Sequence, residues 1–374
     1  MSEPSRALAL LERVPLVDGH NDLPWQLELR AERDLERMDL SAPQTGLHTD
    51  IPRLQRGGIG AQFWAAYVPC EVSGDAAVKH ALLQVDLIHR FIERWSDCFA
   101  FADSADDVEA IHSVKQPKRK VACLIGVEGG HALGSSLAVL RILRRLGTRY
   151  LTLTHNKTHD WADSATDVAR HGGLSAFGEE VVREANRVGI LVDLSHTSVA
   201  TMEAALRVSR APVVFTHSSA RALCDHVRNV PDAVLRQLRE NGGTIMVTFV
   251  PSFLNEAVRQ HWARRREVAA SSEDARVALE AYDSEHPLPR ATLVDVALHL
   301  EHLRAVVGVD HIGIGGDFDG IESVPLGLED VSKYVDLFAL LFDRGWTDEE
   351  LAKVAGHNIL RTLRDAEQVA RKLS

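Results

Sequence analysis

The chain has few cysteines, no long apolar run and no excess of basic charge, and each of these absences narrows what it can be. Its four cysteines, Cys70, Cys98, Cys123 and Cys224, lie far apart with no C-x-x-C pair. That spacing fits neither a zinc ribbon nor a dense disulfide framework, and a reducing compartment is the simpler expectation. No apolar run approaches the roughly 18 residues that a membrane span needs. Near the N-terminus the apolar stretch Ala7 to Leu11 stops at Glu12 and Arg13, short of a signal-peptide core, so a cytoplasmic protein is expected. Lys and Arg total 42 against 53 Asp and Glu, a net charge of −11. Nucleic-acid binding relies on clustered basic residues, and the basic stretch Lys115 to Lys120, just before an apolar run, reads as a solvated loop. No G-x-G-x-x-G follows the first predicted strand, and no linker composition or short-period repeat divides the chain.

What is present is a globular composition and a recurring pattern. Of 374 residues, 45% are apolar and 25% charged, which is ample material for a large core without a folding partner. Eight short apolar runs rich in β-branched residues recur: Val14 to Val17, Ala61 to Tyr67, Val121 to Val127, Tyr150 to Thr154, Ile190 to Leu194, Pro212 to Phe215, Thr244 to Phe249 and His311 to Ile314. Between them lie segments with i, i+3, i+4 apolar spacing, such as Ala77 to Ile92, Ser136 to Leu146, Leu174 to Val188 and Thr292 to Val307. Strands alternating with helices imply βαβ units, and eight such units predict a closed (β/α)8 TIM barrel over residues 1–374 as one domain. An open doubly wound sheet is the alternative. It fits less well, because chemistry-bearing residues end many strands instead of clustering at one switch point. Two long connections, Leu23 to Gly58 and Ser252 to Arg290, follow strands and are expected to wall or lid a pocket. Helical patterns at Val331 to Phe342, Asp348 to Val354 and Ile359 to Lys372 extend the chain beyond the eighth strand.

The first run leads into Val17-Asp18-Gly19-His20-Asn21-Asp22. In an extended strand residues i and i+2 share a face, so His20 and Asp22 aim an imidazole and a carboxylate at one point. Taken alone, the pair reads more readily as a turn with an Asx hydrogen bond. The other strand ends change that reading: Glu128 follows the third run, His155 the fourth, Asp193 and His196 the fifth, His217 the sixth, and Asp317 and Asp319 the eighth. In a barrel these ends converge on one rim, so four imidazoles and at least three carboxylates share a small volume. Crowded carboxylates are costly without cations, and two divalent ions would neutralise them. Imidazole and carboxylate ligands without thiolate suit Zn2+ best. Paired metals need a bridging carboxylate, and Glu128, set among glycines that let backbone come close, is the natural bridge. A water brought to a pKa of about 7 between such ions is a hydroxide nucleophile, so metal-assisted hydrolysis is the predicted reaction class. His48, His80, His89, His112, His226, His302 and His357, in loops or helical patterns, read as surface or capping residues.

The motifs VDGHND, GVEGGHAL, YLTLTHN, LVDLSHTS, FTHSSARAL, RNVPD and GIGGDFDG, in that order, resemble the membrane (renal) dipeptidase family of the amidohydrolase superfamily. The resemblance spans residues from about 14 to 365. It implies a barrel with two zinc ions that hydrolyses the peptide bond of dipeptides, often tolerating a D-residue at the C-terminal position. His20 and Asp22 are then ligands of one zinc, His196 and His217 of the other, and Glu128 bridges them. The resemblance also implies that Asp317 takes the proton of the metal-bridging hydroxide and passes it to the leaving amine. It implies that His155 stabilises the oxyanion and that Arg228 binds the substrate carboxylate. Asp319 shares a face with Asp317 and is the alternative for its role. His159 and Trp161 are expected to line the pocket, and Asp18 and Asp193 to support the ligands or the strand ends. The alternative activity is that of another binuclear amidohydrolase acting on N-acyl amino acids or lactams. Animal members are secreted, disulfide-linked and lipid-anchored. This sequence offers no matching signal or apolar tail, so anchoring is not carried over. Dimers are common among relatives, which leaves a homodimer open, and the sequence carries no interface signal of its own.

Overall fold

The apolar runs become strands, and their ends set the geometry of everything that follows. The computed structural model describes residues 2–114, 119–272 and 274–373, so Lys115 and Lys118 of the basic stretch lie outside the described residues. The strands are β1 (Leu16–Asn21), β2 (Ile59–Tyr67), β3 (Phe99–Phe101), β4 (Val121–Glu128), β5 (Thr148–Thr152), β6 (Leu191–Asp193), β7 (Val214–Phe215), β8 (Thr244–Val247) and β9 (Ile312–Ile314). Eight of them close into a parallel barrel in the order β1-β2-β4-β5-β6-β7-β8-β9, with β9 pairing back onto β1. Helices cover the outside, as parallel strands with crossover connections require.

Each predicted run overlaps one barrel strand. β3 was not foreseen, because Phe99-Ala100-Phe101 is too short to carry a period. It lies beside the first half of β4, with Phe99 opposite Val121, and β5 takes over that edge from Ile125 onward. β1 begins later than Val14 and continues through the VDGHND motif to Asn21. Its register shifts between Asp18 and Asn21. Val17 belongs to the barrel interior and His20 reaches the interior Tyr150, an odd spacing that strict alternation would put on opposite faces; the shift reconciles the two.

Inside the barrel Val17, Ala61, Phe63, Ala122, Leu124, Tyr150, Leu191, Val214 and Met246 pack together. The alternate residues of the same strands, such as Cys123, Ile125, Val127, Leu151, Val192 and Ile245, face the helices. Along β4 this period of two continues through Gly126 to Glu128, which therefore stands on the inner face at the C-terminal mouth. The Tyr150 ring fills the space above Leu124 that a side chain at residue 126 would need.

The long connections are helical in part, with helices Leu23–Ala31 and Ile51–Arg56 in the first and Glu256–Ser271 and Ala275–Glu285 in the second. Among the described residues their expected role as walls is met only by Trp25 and Phe253, which line the cavity at the barrel mouth. The hairpin of Glu256–Ser271 and Ala275–Glu285 packs on itself through an Arg265–Asp283 ion pair and lends that cavity no residue. Its charged composition suits a solvated helix pair, which is what the sequence pattern failed to separate from a lid. The C-terminal helical patterns appear as Tyr334–Asp343, Asp348–Ala352 and Asn358–Leu373. Among the described residues no helix is long and apolar enough to cross a membrane, and no disulfide forms.

A Cβ on Gly126 would fall inside the Tyr150 ring. Overpacking of this kind costs about 1–3 kcal/mol. Gly126→Ala should lose that much in urea unfolding, and clearly less in a chain that also carries Tyr150→Leu. Equal losses in the two backgrounds would mean that the ring is not what the methyl group meets.

Candidate metal centre

Loop ends of the barrel strands bring the predicted residues together. Glu128 is buried, and its two oxygens face different imidazoles: Oε2 lies 3.7 Å from His20 Nε2, whereas Oε1 lies 3.1 Å from His196 Nε2 and 3.4 Å from His217 Nε2. His20 Nε2 is also 3.2 Å from Asp22 Oδ2 and 4.0 Å from Asp317 Oδ1. Among the described residues three overlapping sets have ligand atoms within 4.8 Å of one another: His20, Glu128 and His217; Glu128, His155 and His196; and His20, Asp22 and Asp317. Asp22 does not extend β1 as expected. Its N–H bonds to Phe318 O, and it stands just before the helix Leu23–Ala31 without a side-chain capping bond, while Asn21 Oδ1 accepts the Leu23 N–H. His20 and Asp22 still meet, through a turn and not across a strand face.

The backbone bends sharply here. His196 and Asp317 have φ of 67° and 63°, in the left-handed region that few non-glycine residues adopt. Strain of this kind persists where the surroundings over-determine it, and both positions sit at the mouth. Asp18 and Asp193 supply much of that support. Asp18 accepts the N–H groups of His20 and Gly316 and a hydroxyl bond from Tyr334, tying β1 to β9. Asp193 accepts the N–H groups of Ser195 and Thr216 and the hydroxyls of Thr152 and Thr216, tying β5, β6 and β7.

The partners of each Nδ1 bear on which nitrogen lone pair is available. His196 Nδ1 lies 3.1 Å from Asn156 Oδ1, an acceptor, so the ring proton belongs on Nδ1 and the Nε2 lone pair faces Glu128 and the space beside it. His217 Nδ1 lies 2.9 Å from Thr216 Oγ1, whose own proton goes to Asp193, with the same result. His20 Nδ1 meets Tyr150 Oη at 2.9 Å. An imidazole that ligates through one nitrogen and donates from the other is the usual arrangement at a metal. The residues therefore fit divalent ions: buried carboxylates, outward-held Nδ1 protons and inward Nε2 atoms.

The electrostatics agree. Burial raises the Glu128 carboxyl well above its ordinary value, His20 opposes this, and Asp22 and Asp317 add to it. Asp317 is raised for the same reasons. Burial lowers His20, but Glu128, Asp22 and Asp317 outweigh it and hold the ring protonated. A bound divalent cation would relieve this crowding and free the His20 nitrogen for coordination.

Beside the cluster opens a cavity of about 600 Å3 whose lining includes Trp25, Tyr67, His155, Arg228, Phe253 and Asp317. Arg228 is buried at 3% exposure, its guanidinium lies 5.4 Å over the Phe253 ring, and its Nη1 has no hydrogen-bond partner. Burial lowers its pKa to about 10, with Asp317 and Glu128 opposing that shift, so it stays charged at neutral pH. Burial and Arg228 push His155 down to about 3, leaving a neutral ring. Of the two strand-end aspartates, Asp317 lines the cavity, whereas Asp319 turns to the His48 N–H at 2.7 Å. His159 and Trp161 were expected in this pocket and instead line a separate cavity with His131 and Arg170. The reading of all scattered histidines as surface residues also needs correction. His226 lines the mouth cavity, receives the Arg228 N–H and stacks on Phe253, while His112 is buried. Tyr67, Tyr150 and Tyr334 went unnoticed as well; Tyr150, in a strand next to the third run, carried a signal in the Tyr-Leu-Thr-Leu-Thr-His motif itself.

A parallel barrel whose C-terminal mouth gathers imidazoles and carboxylates around a cavity is the architecture of a metal-dependent hydrolase. The chain belongs to the membrane dipeptidase family (peptidase family M19), whose model matches residues 4–374. Dipeptidase aclJ of Aspergillus oryzae is 40% identical over 373 residues, covering 98% of this chain and 81% of that protein. The probable dipeptidase PvdM from Pseudomonas aeruginosa has the same fold, with a TM-score of 0.81 at 23% identity over 98% of this chain and 99% of that one. A metallo peptidase from Rhodobacter sphaeroides, liganded with a phosphinate mimic of the dipeptide L-Ala-D-Ala, superposes with a TM-score of 0.77 at 26% identity over 95% and 99% of the two chains. The protein is thus a metal-dependent hydrolase acting on peptide bonds, with a small dipeptide as its class of substrate.

Groups held protonated in the metal-free protein must lose those protons to become ligands. Zinc uptake should therefore release protons, and affinity should rise from about pH 6 to about pH 8. Calorimetry in buffers of different ionisation enthalpy measures the release. Uptake without proton release would contradict the raised Glu128 and Asp317 carboxyls.

Proposed function

We propose that the chain is a dizinc dipeptidase that cleaves L-Xaa-L-Xaa and L-Xaa-D-Xaa substrates. His20 and Asp22 would hold one zinc and His196 and His217 the other, with Glu128 as the carboxylate shared between them. Bound there, the ions would supply Lewis-acid activation of water and of the peptide carbonyl. Asp317, 4.0 Å from His20 at the cavity edge, takes the proton of the attacking water and hands it to the leaving amine. His155 donates a hydrogen bond to the carbonyl oxygen as negative charge develops there. Arg228 receives the terminal carboxylate of the substrate in its planar fork.

The observation that carries the substrate class is Arg228. A buried guanidinium with an unpartnered Nη1, in the same cavity as Glu128 and Asp317, calls for an anionic group within one residue's reach of the reacting bond. A dipeptide offers its C-terminal carboxylate there; a longer peptide would place an amide opposite the charge. Support for tolerance of a D-residue comes from the L-Ala-D-Ala mimic bound by the Rhodobacter sphaeroides relative.

Zinc-loaded protein should release two amino acids from members of L,L and L,D dipeptide libraries. Turnover of N-acyl amino acids or lactams with none of dipeptides would favour the other amidohydrolase activity. Asp317→Asn should keep its zinc and lose about 100- to 10,000-fold in kcat. Arg228→Met should raise KM for dipeptides while leaving the slow hydrolysis of dipeptide amides nearly unchanged. Equal effects on both substrates would remove the carboxylate from the argument.

A further inference from the structure

The imidazoles of the mouth are one residue type, yet one of them faces different chemistry at Nδ1. His196 and His217 meet oxygens that act as acceptors, whereas His155 Nδ1 lies 3.3 Å from the sulfur of Cys70. Cys70 follows β2 in the connection to the helix Gly74–Arg94 and is half-buried. The backbone amides of Asn156 and Lys157, in the loop that carries His155, only partly offset the burial of this sulfur, and the proton it can offer is its own. Burial raises the Cys70 thiol above its ordinary value, which keeps that proton in place.

A neutral imidazole has one donor and one acceptor nitrogen. A thiol proton directed at Nδ1 makes Nδ1 the acceptor and puts the ring proton on Nε2. We propose that Cys70 is a positioning residue that fixes His155 as the Nε2–H tautomer, so that this ring presents a donor to the reacting carbonyl instead of a lone pair to a metal. The distinction matters because His155, Glu128 and His196 could otherwise form a ligand set of their own. Tyr67, whose ring packs edge-on at 4.8 Å from His155, holds the plane of the imidazole, and Cys70 sets its proton. The inference rests on the oxyanion role proposed for His155.

The test uses full-length, zinc-loaded protein with 15N-labelled histidine, and L-Ala-L-Ala and L-Ala-D-Ala as probes. In the unsubstituted chain the His155 shifts should mark Nε2 as protonated and Nδ1 as an acceptor. Cys70→Ala should move the Nδ1 resonance and lower kcat about 10- to 100-fold, the range for losing a group that orients an active-site ligand, with KM, zinc content and melting temperature unchanged. Cys70→Ser, whose hydroxyl also donates, should restore most of kcat and the shift. A protonated Nδ1 in the unsubstituted chain overturns the proposal. So does a Cys70→Ala kcat within twofold of normal, or a loss accompanied by zinc loss and not rescued by serine. His155→Ala separates the two layers of inference: full kcat in that variant sinks the oxyanion role itself, while an impaired His155→Ala beside an unaffected Cys70→Ala sinks only the role of Cys70.

Discussion

The mouth of this barrel is organised around one buried carboxylate whose two oxygens point in different directions. Glu128 faces His20 with Oε2 and both His196 and His217 with Oε1. Burying a carboxylate next to two others is unfavourable unless positive charge accompanies it. The fold accepts that cost at the end of β4 because the barrel's alternation leaves no other face for residue 128. Gly126 below it and the Tyr150 ring in the gap make the seat, and the same Tyr150 hydroxyl bonds His20. Position, packing and ligand orientation are thus set by a few atoms at the top of two neighbouring strands.

Around this centre the rim is stitched by two aspartates that do not face the cavity. Asp18 joins β1 to β9 and to Tyr334 of a C-terminal helix, and Asp193 joins β5, β6 and β7. Each accepts backbone N–H groups that the ends of the strands would otherwise leave unpaired. Burial raises Asp18 to about 6, with the Tyr334, Gly316 and His20 bonds pulling it back, so it remains an acceptor at neutral pH. The positive φ angles at His196 and Asp317 are affordable only on such a braced rim. A loosened rim would relax those residues first.

Much of this was legible in the sequence, and the limits are instructive. The eight barrel strands are readable because β-branched runs alternate with helical spacing, whereas Phe99–Phe101 is too brief to register. His20, Asp22, Glu128, His155, His196, His217, Asp317 and Arg228 are brought to one mouth as the strand-end argument and the family motifs required. That argument has a blind spot for side chains that arrive from elsewhere in the chain. Tyr334 comes from a helix beyond the last strand, Trp25 and Phe253 from connections, and His226 from a loop where a histidine looks ornamental. The misassignment of His159 and Trp161 has the same origin. Proximity in sequence to His155 suggested a shared pocket, but the loop folds back so that His159 bonds Leu153 O and faces a different cavity.

Charge explains why substrate capture and metal loading belong together at this mouth. In the metal-free chain the crowding of Asp22, Glu128 and Asp317 is relieved by the raised carboxyls, the protonated His20 and the charge of Arg228. A divalent ion held beside Glu128 would take over that relief. Arg228 then no longer serves to offset neighbouring carboxylates, and its unpartnered Nη1 becomes the best remaining donor for an incoming anion. The guanidinium lies close enough to Asp317 and Glu128 to feel both states, yet hydrogen-bonds neither through Nη1. An arginine bound tightly to either carboxylate would stabilise the empty site and compete with substrate. With its backbone N–H on His226 Nδ1 and its guanidinium over the Phe253 ring instead, it is kept free for the one charged group that a dipeptide carries into the cavity.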